Sequence, residues 1–115
     1  MTENRILALA TRIKEETEIN KLNWVKSSSA NAYRLSLGSG MILLDYHPAG
    51  FEPAYYQFTV HNDRNTPIDS LVAYDNENDK DNFHLLENIY NLAENFFLKI
   101  DETYQSMFNA LDLPF

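Results

Sequence analysis

The chain contains no cysteine, only 3 glycines and 4 prolines among 115 residues, and no long apolar run. Without cysteine, disulfides, thiolate metal sites and thiol catalysis are excluded, and a reducing compartment is permitted. The scarcity of glycine leaves no phosphate-cradling loop. Gly38 and Gly40 flank Ser39 with neither a lysine nor a following helix, which reads as a hairpin turn. No stretch approaches the length of a membrane span, and the one early apolar run, residues 6–10, is too short for the core of a signal peptide. Basic residues are scarce as well: 9 Lys plus Arg stand against 17 Asp plus Glu, and from residue 75 onward 2 Lys face 9 Asp and Glu. A surface of that sign repels phosphate backbones, because non-specific nucleic-acid binding needs Lys and Arg to displace counterions. The expectation is a cytoplasmic protein with no direct nucleic-acid or membrane contact. Its one domain, residues 1–115, is long enough to bury roughly two thirds of the unfolded surface.

What the sequence does have is alternation. Tyr33, Leu35 and Leu37, then Ile42, Leu44 and Tyr46, then Tyr56, Phe58 and Val60, recur at period two, which predicts an antiparallel meander with one apolar face. A four-residue connection over 38–41 pairs Leu37 with Ile42, Leu35 with Leu44 and Tyr33 with Tyr46. Folding the third strand back about the loop 47–53 sets Tyr46 opposite Tyr56, Leu44 opposite Phe58 and Ile42 opposite Val60. A turn over 62–67 introduces a fourth strand, whose Ile68, Val72 and Tyr74 extend the same face.

Helices flank this sheet in sequence. Ile6, Leu9, Ala10 and Ile13 predict an amphipathic helix that fades near residues 17–20, while 19–25 fits a helix tail or an extended lead-in. Trp24 reads as a core anchor whose indole N–H needs a single partner. From residue 82 or 83, Leu86, Ile89, Tyr90, Ala93, Phe96 and Phe97 begin a helical pattern with no internal Gly or Pro. It runs for about 29 residues, or roughly 43 Å, against strands of roughly 23 Å. The helix must overhang the sheet. Either it bends near 99–101 with Asp101 capping a separate final helix, or the distal stripe of Ile100, Tyr104, Met107, Phe108 and Leu111 packs on the first helix or on another chain. The fold class is α+β: four antiparallel strands with an N-terminal and a long C-terminal helix on one face.

Chemical signatures are absent by spacing. His47 and His61 each sit two residues from an aspartate, Asp45 and Asp63, but the register puts them at opposite ends of the sheet. His84 lacks a second histidine four residues on, where Asn88 stands. In the acidic loop 75–82, a calcium hand starting at Asp75 needs a glycine and a glutamate where Lys80 and Leu86 stand. No nucleophile elbow accompanies the serines. No catalytic residue, metal ligand or cofactor is therefore assigned. The helix, sheet, helix order is shared with the double-stranded RNA-binding domain, but that family has three strands and a lysine-rich second helix, and here the helix opens Asp81-Asn82-Phe83-His84.

The remaining candidate is the sheet's other face. The same register aligns Arg34, Asp45, Gln57 and Leu71 in one row and Ser36, Leu43, Thr59 and Asp69 in the next, with Tyr55 near Ala73. Arg34 would pair with Asp45 across strands. Leu43, Tyr55 and Leu71 are apolar where an uncovered face is ordinarily polar, which marks a contact surface. The leading expectation is a non-enzymatic module that binds a protein partner or a second copy of itself, the latter through the distal stripe. The alternatives are a small-ligand or enzymatic domain using Arg34, Tyr55 and His61, and an acidic mimic of nucleic acid.

Overall fold

The computed structural model describes residues 2–19, 21–28 and 31–112, with side chains from residue 5 onward. In chain order it contains α1 (Thr2–Glu18), β1 (Val25–Lys26), β2 (Ala32–Leu37), β3 (Gly40–His47), β4 (Tyr55–His61), β5 (Pro67–Tyr74) and α2 (Lys80–Asp112). The strands form one antiparallel sheet in sequential order, β1 to β5, and both helices cover the same face. The sheet has five strands rather than four. Val25 and Lys26 lie opposite Arg34 and Tyr33 and add a short edge strand, and a two-residue strand is too short to show a period.

The β2–β3 hairpin is tighter than its alternation suggests. Leu37 lies opposite Gly40, so only Gly38 and Ser39 form the turn, with Gly38 at φ 56°. A glycine with positive φ in the first central position is what the tight II′ hairpin turn requires. The pairs therefore shift by two, to Leu35 opposite Ile42 and Tyr33 opposite Leu44. An even shift keeps every side chain on its face. Gly40 has a second reason to be glycine: a Cβ there would come within 2.9 Å of the His61 carbonyl oxygen. The β3–β4 register is as expected, with Tyr46 opposite Tyr56, Leu44 opposite Phe58 and Ile42 opposite Val60.

β5 is where the alternation misleads. Pairing starts at His61 opposite Pro67 but continues at Val60 opposite Asp69, so Ile68 is the extra residue of a β-bulge. One inserted residue exchanges the two faces of the rest of the strand. Leu71 (6% exposed) and Ala73 (0%) turn inward, while Ile68 (63%) and Val72 (38%) turn outward. The expected inner set of Ile68, Val72 and Tyr74 is thus corrected to Leu71 and Ala73.

On the covered face, Ile6, Ala10 and Ile13 of α1 meet Phe83, Leu86, Ile89, Tyr90 and Ala93 of α2 above Leu35, Leu44, Phe58 and Leu71. α1 ends at Glu18 and leaves Ile19 exposed. Trp24 is fully buried, and its Nε1–H donates to Thr17 Oγ1 at 3.0 Å. That hydroxyl in turn donates to the Ile13 carbonyl at 2.7 Å. Thr17, the buried polar residue in the core, is thereby satisfied on both sides. α2 starts at Lys80, two or three residues earlier than the apolar pattern implies, because Asp79 joins strand to helix. Its carbonyl accepts from the Phe83 amide at 2.7 Å, while its carboxylate accepts from the Tyr74 amide at 2.9 Å.

Candidate functional site

The outer sheet face differs from the expected one through the two register changes. Arg34 lies opposite Leu43 and Asp45 opposite Ala32, so the Arg34–Asp45 pair does not form. Leu71 leaves this face for the core, and Tyr55 lies opposite Tyr74 instead of near Ala73. Thr59 lies opposite Leu43 and Ser70, and Gln57 opposite Asp45 and Val72. Gln57 Nε2 donates to Ser70 Oγ at 3.2 Å. The bulge adds Tyr74 to a row of rings on this face. His47 stacks on Tyr55 with centroids 4.3 Å apart and planes 9° apart, and Tyr55 meets Tyr74 at 5.0 Å. Asp45 stands beside this row, its Oδ2 3.8 Å from His47 Nε2. Burial pushes the Asp45 carboxyl above its usual range, an effect that the charges of His47 and His61 oppose. Asp45 Oδ1, His47 Nε2 and His61 Nδ1 are buried atoms without a hydrogen-bond partner.

His47 and His61 remain at opposite ends of β3–β4, opposite Tyr55 and Met41. Among the described residues, no group of three His, Asp or Glu side chains is arranged to hold a metal ion. His84 Nδ1 lies 3.3 Å from Glu87 Oε1 one turn along the helix. Phe51, at the tip of the 48–54 loop between Pro48 and Pro53, is fully exposed. A single aromatic in a proline-flanked loop carries no periodic signal in the sequence.

The second candidate is the distal part of α2. The helix is continuous over 33 residues, with no break at 99–101 and no separate helix capped by Asp101. The Thr103 hydroxyl donates to the Lys99 carbonyl at 2.9 Å, the ordinary four-residue reach of a helical hydroxyl. Phe83, Leu86, Tyr90, Ala93, Phe97, Ile100, Tyr104, Met107 and Leu111 follow one another at alternating spacings of three and four. That is a 3.5-residue repeat, the period of a helix seam. The sheet and α1 bury this stripe as far as Ala93, and Phe97 is half-covered, with its ring 6.1 Å from Tyr33. Every residue from 98 to 112 is exposed. Ile100, Tyr104, Met107, Phe108 and Leu111 are 40%, 59%, 61%, 56% and 80% exposed. Neither α1 nor the sheet receives them. The molecule is accordingly 61 Å long and only 35 and 25 Å across. No described helix is long and apolar enough to cross a membrane.

No protein-family model matches this chain, and no curated protein or solved structure matches it either.

Proposed function

We propose that the chain is a non-enzymatic interaction module of the cytoplasm, an adaptor or regulator whose working surface is the overhanging half of α2. The observation that carries this reading is the uncovered stripe of five large apolar side chains on a helix that continues without a break past the edge of its own domain. Single exposed apolar residues need no explanation, but a contiguous stripe of this kind marks a protein contact. A second observation supports it. Isolated helices shorter than about 12–15 residues are marginal in water, and helical stability in proteins comes mostly from packing an amphipathic face. An overhang of this length is best served by a partner. The net charge of −8 favours solubility, and the lack of cysteine permits a reducing compartment.

Phe108→Asp places a charge within the stripe without touching the core. The variant is expected to keep the helical circular dichroism of the parent and lose its assemblies in native cross-linking, whether with another copy or with a different protein. Equal cross-linking by parent and variant would overturn the reading.

The ring row of the outer face favours a second reading, a site for a small planar ligand laid against the row of His47, Tyr55 and Tyr74. Tyr55→Ala should then abolish any thermal shift given by aromatic metabolites. A metabolite panel that shifts neither protein would remove it.

A further inference from the structure

An open sheet ends in two rows of unpaired N–H and C=O groups, and either row is a template on which another strand can build. One edge here is β1, only two residues long. The other is β5, eight residues long and paired on one side alone, by β4. We propose that Asp69 and Asp79 guard the β5 edge, and that what they keep out is the β5 edge of a second copy. The proposal stands apart from the reading of the α2 overhang.

The register decides which amides face outward. The Asp75 amide donates to the Ala54 carbonyl at 2.8 Å, and residues 54 and 75 extend the pairing of Tyr55 with Tyr74. Hydrogen-bonded and non-hydrogen-bonded pairs alternate along an antiparallel ladder. Asp69, Leu71 and Ala73 therefore turn their N–H and C=O groups toward β4, whereas Ser70, Val72 and Tyr74 turn theirs to the open side. Two of these three outward amides are taken by carboxylates. Tyr74 N–H donates to Asp79 Oδ2 and Ser70 N–H donates to Asp69 Oδ1, each at 2.9 Å. The Tyr74 carbonyl is taken as well, by the Asn76 amide at 2.8 Å. At the start of the strand Pro67 has no N–H, and the bulge at Ile68 interrupts the row. Among the described residues nothing accepts from the Val72 amide. One rung of the edge is open, between two that are closed.

Asp79 is held at its post by its own backbone. Its amide donates to Asn76 Oδ1 at 2.8 Å, and its carbonyl accepts from the Phe83 amide at 2.7 Å in the first turn of α2. An added strand would present carbonyl oxygens to the amides of residues 70 and 74, and an ionised carboxylate, which only accepts, already occupies both. A second copy is the strand for which the guard matters most, because the open rung is self-complementary. An antiparallel pair about a two-fold axis at Val72 sets Val72 opposite Val72 and Ser70 opposite Tyr74. The same pair sets Asp69 opposite Asp75, and like charges directly opposite are destabilising. Asp69 thus opposes the pairing twice, by its hydrogen bond and by its charge.

Amide hydrogen exchange on the full chain reads the guard directly. The Val72 amide is expected to exchange faster than those of Ser70 and Tyr74, although it lies in mid-strand. Equal rates at the three, or a Val72 amide as slow as that of Leu71, would overturn the proposal. Asp69→Ala combined with Asp79→Ala opens the edge, in a Phe108→Asp background that takes the α2 stripe out of the assay. Light scattering over a concentration series should show the mass of this variant rising to twice that of the Phe108→Asp reference. Adding Val72→Pro removes the last outward N–H without touching the ladder to β4 and should return the mass to the reference. A folded variant that keeps the reference mass at millimolar concentration overturns the proposal, and so does an association that Val72→Pro leaves intact. If the opened variant fails to fold, the exchange rates at residues 70, 72 and 74 decide alone.

Discussion

Residues 83–93 and 100–111 of α2 carry the same spacing of apolar side chains, yet the first set is buried and the second faces water. The two halves share a helix, a period and no internal glycine or proline; they differ only in what lies opposite. Beneath the first half are the middle strands of the sheet, with α1 alongside. Beneath the second there is nothing, because strands of six to eight residues reach only about 20–27 Å, whereas 33 residues of helix span about 50 Å. A hydrophobic pattern therefore records that a face is to be covered and is silent on whether the cover belongs to the same chain. Length decides that, and here the helix is about twice as long as its support.

The comparison is broken most severely by truncating one side chain in each half. Leu86 is fully buried between the sheet and α1. Leu86→Ala removes transfer energy and leaves a cavity, and is expected to cost about 2–5 kcal/mol. Met107→Ala, in dilute solution where the overhang has no partner, should stay within about 0.5 kcal/mol of the parent, as surface changes do. Urea unfolding of the three proteins at equal low concentration measures both. A loss at Met107 comparable to that at Leu86 would mean that the distal half is covered within the monomer and that the two halves are alike.

The same contrast between local pattern and global support explains which parts of the fold the sequence revealed. Period two located β2, β3 and β4 and set the β3–β4 register, since a loop of seven residues with prolines at 48 and 53 left the apolar faces to fix the pairing. Period 3.6 located both helices and the core positions Ile6, Ala10, Ile13, Leu86, Ile89 and Ala93. Trp24 was assigned correctly from its chemistry, one donor seeking one acceptor. The bulge at Ile68 was invisible, because an extra residue in a strand of mixed polarity looks like ordinary alternation displaced by one. Its consequence fell on the outer face: Leu71 went to the core, and Tyr74 came out to join Tyr55 and His47. β1 was hidden by its brevity, and the turn at Gly38-Ser39 by the fact that two-residue and four-residue connections give the same faces. The continuity of α2 through 99–101 could have been settled by the missing helix breakers, since an aspartate inside a helix is compatible with an uninterrupted ladder.

The finest distinction between the halves is electrostatic and concerns Tyr90. Its ring meets Tyr33 edge-on at 5.2 Å and lies 5.4 Å from Tyr56 and 6.1 Å from Tyr46. Burial above all, then the charge that Tyr33 and Tyr46 carry once ionised and that Glu94 and Asp45 carry already, pushes the Tyr90 hydroxyl up to about 12. Tyr56 is raised by the same burial and by Glu87. A raised folded-state value favours the neutral form. Stability from this source is present in full below the unfolded value of about 10 and is lost as pH rises through about 12. Tyr90→Phe keeps the packing and removes the ionisation. It should therefore lose less stability than the parent between those two values, while differing little from it at neutral pH, when both are unfolded with urea across the alkaline range. Tyr104→Phe, which deletes a hydroxyl from the exposed half of the same helix, controls for the loss of the group itself. Parallel pH profiles for Tyr90→Phe and the parent would show that the aromatic cluster under the proximal half is wetter than its burial implies, and would narrow the difference between the two halves to their apolar contacts alone.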